Sequence, residues 1–116
     1  MDGRMEKGGD DMRELEFAVS GQRIEKMQGC DFGGLVAGTK GYLRARFMFD
    51  AAWKRCKIAA SFFDASGHEE AMPVAEGACE IPESVLKRDV FYVSLTGMRN
   101  RYTITTNRLA IRQGRR

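Results

Sequence analysis

The chain has 116 residues, 43% of them hydrophobic and 30% charged, with a formal net charge of +3. A chain of this length buries roughly two-thirds of the surface its unfolded form exposes, which supports one core and leaves too little for a second lobe. The composition excludes wholesale disorder, no run approaches the length needed to cross a bilayer, and Met1 to Glu14 lacks the apolar stretch of a signal peptide, which argues against export by the usual secretory route.

In chain order, residues 1–14 read as a flexible polar segment, residues 15–112 as one domain and residues 113–116 as a basic tail. Leu15, Phe17 and Val19 alternate with Glu16, Ala18 and Ser20, and Ser20-Gly21-Gln22 turns the chain into Arg23 to Met27, a first hairpin. Gly29, Gly33 and Gly34 break the next stretch before a short strand at Leu35 to Ala37. From Tyr42 to Phe49 the period is two: Leu43, Ala45, Phe47 and Phe49 share the face expected inside, and Tyr42, Arg44, Arg46 and Met48 the face expected outside. Trp53 follows, placed to close one end of a small core.

The alternation resumes over Lys54 to Phe63, with Cys56, Ile58, Ala60 and Phe62 on the inner side. The opposite side is only partly polar, so a covering group is expected over Phe63. Asp64 to Gly67 is a turn and His68-Glu69-Glu70 an exposed loop. Gly77 to Pro82 reads as a short strand ended by proline, and Pro82 to Lys87 as the single short helix, with proline at its start and Glu83 in its first turn. Phe91, Val93 and Leu95 define a strong strand. Arg101 to Arg112 closes the domain as one strand or a pair, with a bulge or bend at Asn107. Seven or eight short strands at this spacing predict an all-β, antiparallel sandwich.

The chemistry-bearing residues are sparse. Cys30, Cys56 and Cys79 are odd in number and far apart, which suits free thiols in a reducing compartment rather than a disulfide framework. With His68 they lack the paired spacing of a zinc site, so neither metal nor cofactor is expected. Asp50, Asp64, Glu69 and Glu70 form no specific carboxylate pair, and no nucleophile with a base is apparent, so no catalytic residue is assigned.

Charge is uneven: Met1 to Glu14 holds three basic and five acidic residues, Leu15 to Met98 ten and eleven, and Arg99 to Arg116 six arginines without an acid. Most of those arginines interleave with apolar residues as the wet face of a strand would, and no aromatic ladder accompanies them, which makes nucleic acid an unlikely partner. Arg44, Arg46, Arg99 and Arg101 are the expected protein-docking residues.

Four blocks, G-T-K-G-Y-L-R-A-R-F-M-F at Gly38 to Phe49, W-K-R-C-K-I-A-A-S-F-F at Trp53 to Phe63, C-E-I-P-E-S-V-L-K at Cys79 to Lys87 and Y-T-I-T-T-N-R-L-A-I at Tyr102 to Ile111, resemble the immunoglobulin-like β-sandwich domains of tailed-phage and prophage structural proteins, such as N-terminal domains of baseplate or fibre-associated proteins. The resemblance spans Leu15 to Arg112. It implies that Leu43, Ala45 and Phe47 face inward, that Trp53 closes the sandwich, that Ile81, Pro82, Val85 and Leu86 plug a crossover, and that Thr105, Thr106 and Asn107 lie in the final strand.

The expected function is therefore a non-enzymatic virion subunit that mediates protein–protein assembly in a baseplate, tail fibre or head-associated structure. Its expected partners are other phage structural proteins or copies of itself, with no membrane involved. Its expected locations are the virion and, during assembly, the host bacterial cytoplasm. The alternative is a small carbohydrate-binding module using Tyr42, Tyr92 and Tyr102.

Overall fold

The computed structural model describes residues 12–115. The fold is all-β, with two sheets. The first has the order β2-β1-β3-β6, formed by β1 (Arg13–Ser20), β2 (Arg23–Lys26), β3 (Leu43–Phe49) and β6 (Ala78–Glu80). The second runs β5-β4-β7-β8, from β4 (Lys57–Asp64), β5 (Glu69–Val74), β7 (Val90–Arg99) and β8 (Tyr102–Thr105), with β9 (Leu109–Arg112) also paired to β7.

The period-two pattern decides which side of each strand leaves water. Leu15, Phe17 and Val19 of β1 and Leu43, Ala45 and Phe47 of β3 are buried, and they share one cluster with Ala60 and Phe62 of β4 and Phe91, Val93 and Leu95 of β7. Each fully buried large side chain in such a cluster contributes about 1.5–3 kcal/mol from removal of apolar surface. Phe17 stacks on Phe47 at 5.4 Å between centroids, and the aromatic contacts continue through Phe49 to Trp53.

Trp53 is buried and touches both sheets, through Phe49 of β3 and Gly97 of β7. It sits in a 3-10 turn, Ala51–Trp53, where the Asp50 carboxylate accepts from the Ala52 N–H. Its indole N–H donates to the Gly21 carbonyl at 2.8 Å, and its ring lies on the backbone of Gly97, where an added Cβ would stand 2.8 Å from Cε3 and Cζ3. A glycine at 97 is thus required by the tryptophan.

Several sequence expectations need correction. The first sheet is not wholly antiparallel: β1 and β3 run parallel, in register from Arg13↔Leu43 to Val19↔Phe49. The hairpin places β2 on the outside of β1, so residues 27–42 carry the chain back to the start of β1 before β3 begins. The expected helix at Pro82 to Lys87 is only a 3-10 turn, Glu83–Val85, because Val85 and Leu86 drop straight into the core and the backbone leaves the turn there. Glu69 and Glu70 belong to β5, paired with Phe63 and Phe62, rather than to a loop.

At the margins, β1 begins at Arg13, inside the segment 1–14 that the sequence leaves flexible; residues 1–11 of that segment lie outside the described residues. Leu35 to Ala37 makes a single parallel bridge, Val36↔Gly114, in place of a strand. That bridge, together with the Gly114 N–H donating to the Leu35 carbonyl, ties down part of the stretch 113–116 expected to be a tail. Arg116 lies outside the described residues.

The expected irregularity at Asn107 divides the closing segment into β8 and β9, so that Thr105 ends β8 while Thr106 and Asn107, expected within the final strand, lie between the two. Thr105 pairs with Thr96 and Leu109 with Val93, so residues 106–108 face only residues 94–95: a bulge of one residue.

Candidate docking surface

Two places along the sheet edges are engaged by the chain itself. On one side the Asn107 bulge reaches across to β2, where its Oδ1 accepts from the Ile24 N–H at 2.9 Å and its Nδ2 donates to the Ile24 carbonyl. The Asn107 N–H also donates to the Gln22 carbonyl. One side chain thereby imitates a neighbouring strand for the open edge of β2. On the other side, β5 turns into β6 through the Ala75↔Ala78 bridge. An edge capped in this way offers less to strand addition, and the two outer faces differ more in chemistry.

The outer face of the first sheet is a charged ladder. Glu14 and Glu16 of β1 are in register with Arg44 and Arg46 of β3, and Glu80 of β6 with Arg44. Arg46 donates from Nε and Nη2 to the two carboxylate oxygens of Glu14, both at 3.2 Å, and that partner raises its already high pKa. The Nε of Arg44 is buried without a hydrogen-bond partner among the described residues.

Arg99 and Arg101 lie elsewhere. Arg99 ends β7 in the second sheet, donates to the Lys54 carbonyl at 2.6 Å and covers the Tyr102 ring at 4.4 Å. Arg101 occupies the tip of the β7–β8 turn, beside Asn100 in the left-handed region at φ 49°. The four arginines named from the sequence form two separate groups on different sheets, and Arg46 and Arg99 are already engaged within the fold.

The outer face of the second sheet has a different chemistry. Its central rows are Pro73, Ala59, Thr96 and Thr105 across β5, β4, β7 and β8, then Ala71, Ser61 and Ser94. None is charged. A shallow apolar groove of about 360 Å³ lies here, lined in part by Ala59, Ala71, Pro73, Thr96 and Met98, with Lys57 as its one charged residue, and Met98 is 55% exposed. The covering group expected over Phe63 is Arg108, whose guanidinium sits 4.1 Å above the ring.

The remaining sequence candidates are dispersed. Tyr42 is exposed just before β3, Tyr92 lies on the outer side of β7, and Tyr102 donates its hydroxyl to the Ala52 carbonyl. Cys79 is buried, and desolvation pushes its thiol up to about 12. Cys30 and Cys56 are half-buried. Asp64 accepts from the Ser66 hydroxyl and N–H and from the His68 N–H; these bonds, the hydroxyl foremost, hold its carboxyl below the usual range. Among the described residues no group of His, Cys, Asp and Glu could hold a metal ion, and no helix is long and apolar enough to cross a membrane.

Sequence reasoning missed the uncharged face as a unit and the stitch made by Asn107. The signal for the first was present in Ala59, Ser61, Ser94 and Thr96 as the non-core halves of alternating strands, but their adjacency depends on register. Comparison with known proteins finds no matching family model and no matching curated protein.

Proposed function

We propose that the chain is a non-enzymatic structural subunit of a tailed-phage or prophage virion, an immunoglobulin-like β-sandwich that joins neighbouring proteins. The four sequence blocks motivate the family. The observation that carries the docking role is the uncharged outer face of the second sheet, in a chain of which 30% is charged. Small side chains in the central rows let a flat protein surface approach closely, and Lys57 is the one charge lining the groove there.

The occupant is a larger neighbouring virion protein. Four strands about 4.8 Å apart over roughly 20 Å of length give a face of about 400 Å². Two copies meeting through it would bury about 800 Å² in total, short of the roughly 1,200 Å² of a stable specific interface. A neighbour that also reaches past the rim supplies the difference. The test is light scattering across concentration, with copurification against the products of the genes beside this chain's own: a monomer alone and a defined complex with one of them, a virion structural protein, is expected. A monomer that ignores every such protein but binds a glycan tightly would reverse the reading in favour of a carbohydrate-binding module.

A further inference from the structure

At one end of the fold, four stretches far apart in sequence converge on a cleft of about 770 Å³, bordered by Ala37 and Gly38, by Ala65, by Lys87 and Arg88, and by Arg115 with Asp89. A second cavity of about 440 Å³ adjoins Asp64, His68 and Ser84 and shares Lys87 and Arg88 with the first. The two cations therefore stand on the divide between the cavities.

The walls are fixed by buried hydrogen bonds. Gln113, 7% exposed, donates from Nε2 to the carbonyls of Leu86 and Arg88, and its backbone N–H donates to that of Asp89. The Gly38 N–H donates to the Leu86 carbonyl at 2.7 Å. The loop that carries Lys87 and Arg88 is thus held at the carbonyls of Leu86, Arg88 and Asp89 before any ligand arrives, which lowers the ordering cost of binding.

The acids at the cleft are committed within the fold. Asp89 pairs with Arg115 at 3.6 Å, and Asp64 is occupied by Ser66 and the His68 N–H. Lys87 and Arg88 are exposed and make no ion pair within 4 Å among the described residues, although the Arg88 charge, at longer range, is a minor part of what holds the Asp64 carboxyl low. We propose that this cleft binds an acidic peptide segment of a partner protein, laid from one cavity to the other so that successive carboxylates meet Lys87 and Arg88.

A peptide suits the site better than a phosphate group. Each cavity carries a carboxylate, Asp89 in one and Asp64 in the other, which repels a compact multiply charged anion. An extended segment spreads singly charged groups along the two cations and keeps them apart from those acids. The inference goes beyond the sheet-face reading, since the cleft and the uncharged face share no residue.

The experiment follows amide shifts of the isotope-labelled full chain on titration with hexaglutamate, hexaglutamine and inorganic phosphate. Saturable shifts confined to residues 37–38, 65–68, 84–89 and 113–115 are expected with hexaglutamate alone. Lys87→Ala with Arg88→Ala should weaken it on the order of tenfold or more, the loss of at least one charge-assisted contact. Both side chains are exposed, so the fold survives the change. Thr96→Arg on the sheet face should leave the titration unchanged even if docking of a virion protein fails. Shifts that spread equally to Arg99 and Arg101, an equal response to phosphate, or no saturation would each overturn the proposal.

Discussion

The two outer faces of this molecule are built on the same core by the same alternation, yet one is a ladder of charges and the other has none in its centre. On the first sheet, Glu14, Glu16 and Glu80 are set against Arg44 and Arg46, so the face satisfies much of its charge within itself and stays wet. On the second, Ala59, Ser61, Ser94 and Thr96 present little that water must hold. Alternation decides only which half of a strand enters the core; the outward half is free to be written for solvent or for a partner.

Both faces depend on the shared interior, so the largest effects come from there. Phe47→Ala should cost about 3–5 kcal/mol by opening a cavity beneath the first sheet, read by chemical denaturation; near-native stability would remove Phe47 from the core. Gly97→Ala, beneath the second sheet, forces a methyl group into the Trp53 ring and should cost about 1–3 kcal/mol as overpacking does, with a shift in tryptophan fluorescence.

Smaller changes separate the faces from the stitch that joins the sheets. Asn107→Ala leaves the Ile24 N–H and carbonyl without their partner and should cost about 1–2 kcal/mol, with faster amide exchange at Ile24. Arg46→Met on the charged face removes a half-exposed pair with Glu14 and should cost no more than about 1 kcal/mol.

Asp64 makes stability fall at acid pH. The Asp64 carboxyl titrates lower in the folded chain than in the unfolded one, so its contribution is present above the ordinary carboxylate range and is lost as pH falls through the folded value. Asp64→Asn should therefore flatten the acid limb of stability against pH. An unchanged limb would assign acid sensitivity to other carboxylates.

Much of this was legible in the residues. The inward sets of β1, β3, β4 and β7 follow from period two, and the bulge at Asn107 from a break in that period. What could not be read was pairing: parallel β1 and β3 depend on where residues 27–42 return the chain, and local sequence carries no record of that path. The polar Glu69 and Glu70 look like loop because an edge strand exposed at its end has little apolar face to show. The arginines were visible as residues, but their separation into two groups, and the meeting of Lys87, Arg88 and Arg115 at one cleft, arise only once distant loops converge.

The most direct test of the proposed docking face is copurification of the full chain with the products of the genes beside its own, for the wild type, Thr96→Arg and Arg46→Met at matched folded concentration. Thr96→Arg should abolish the complex while the chain stays folded, and Arg46→Met should retain it. Retention by Thr96→Arg together with loss by Arg46→Met would contradict the account and assign docking to the charged face.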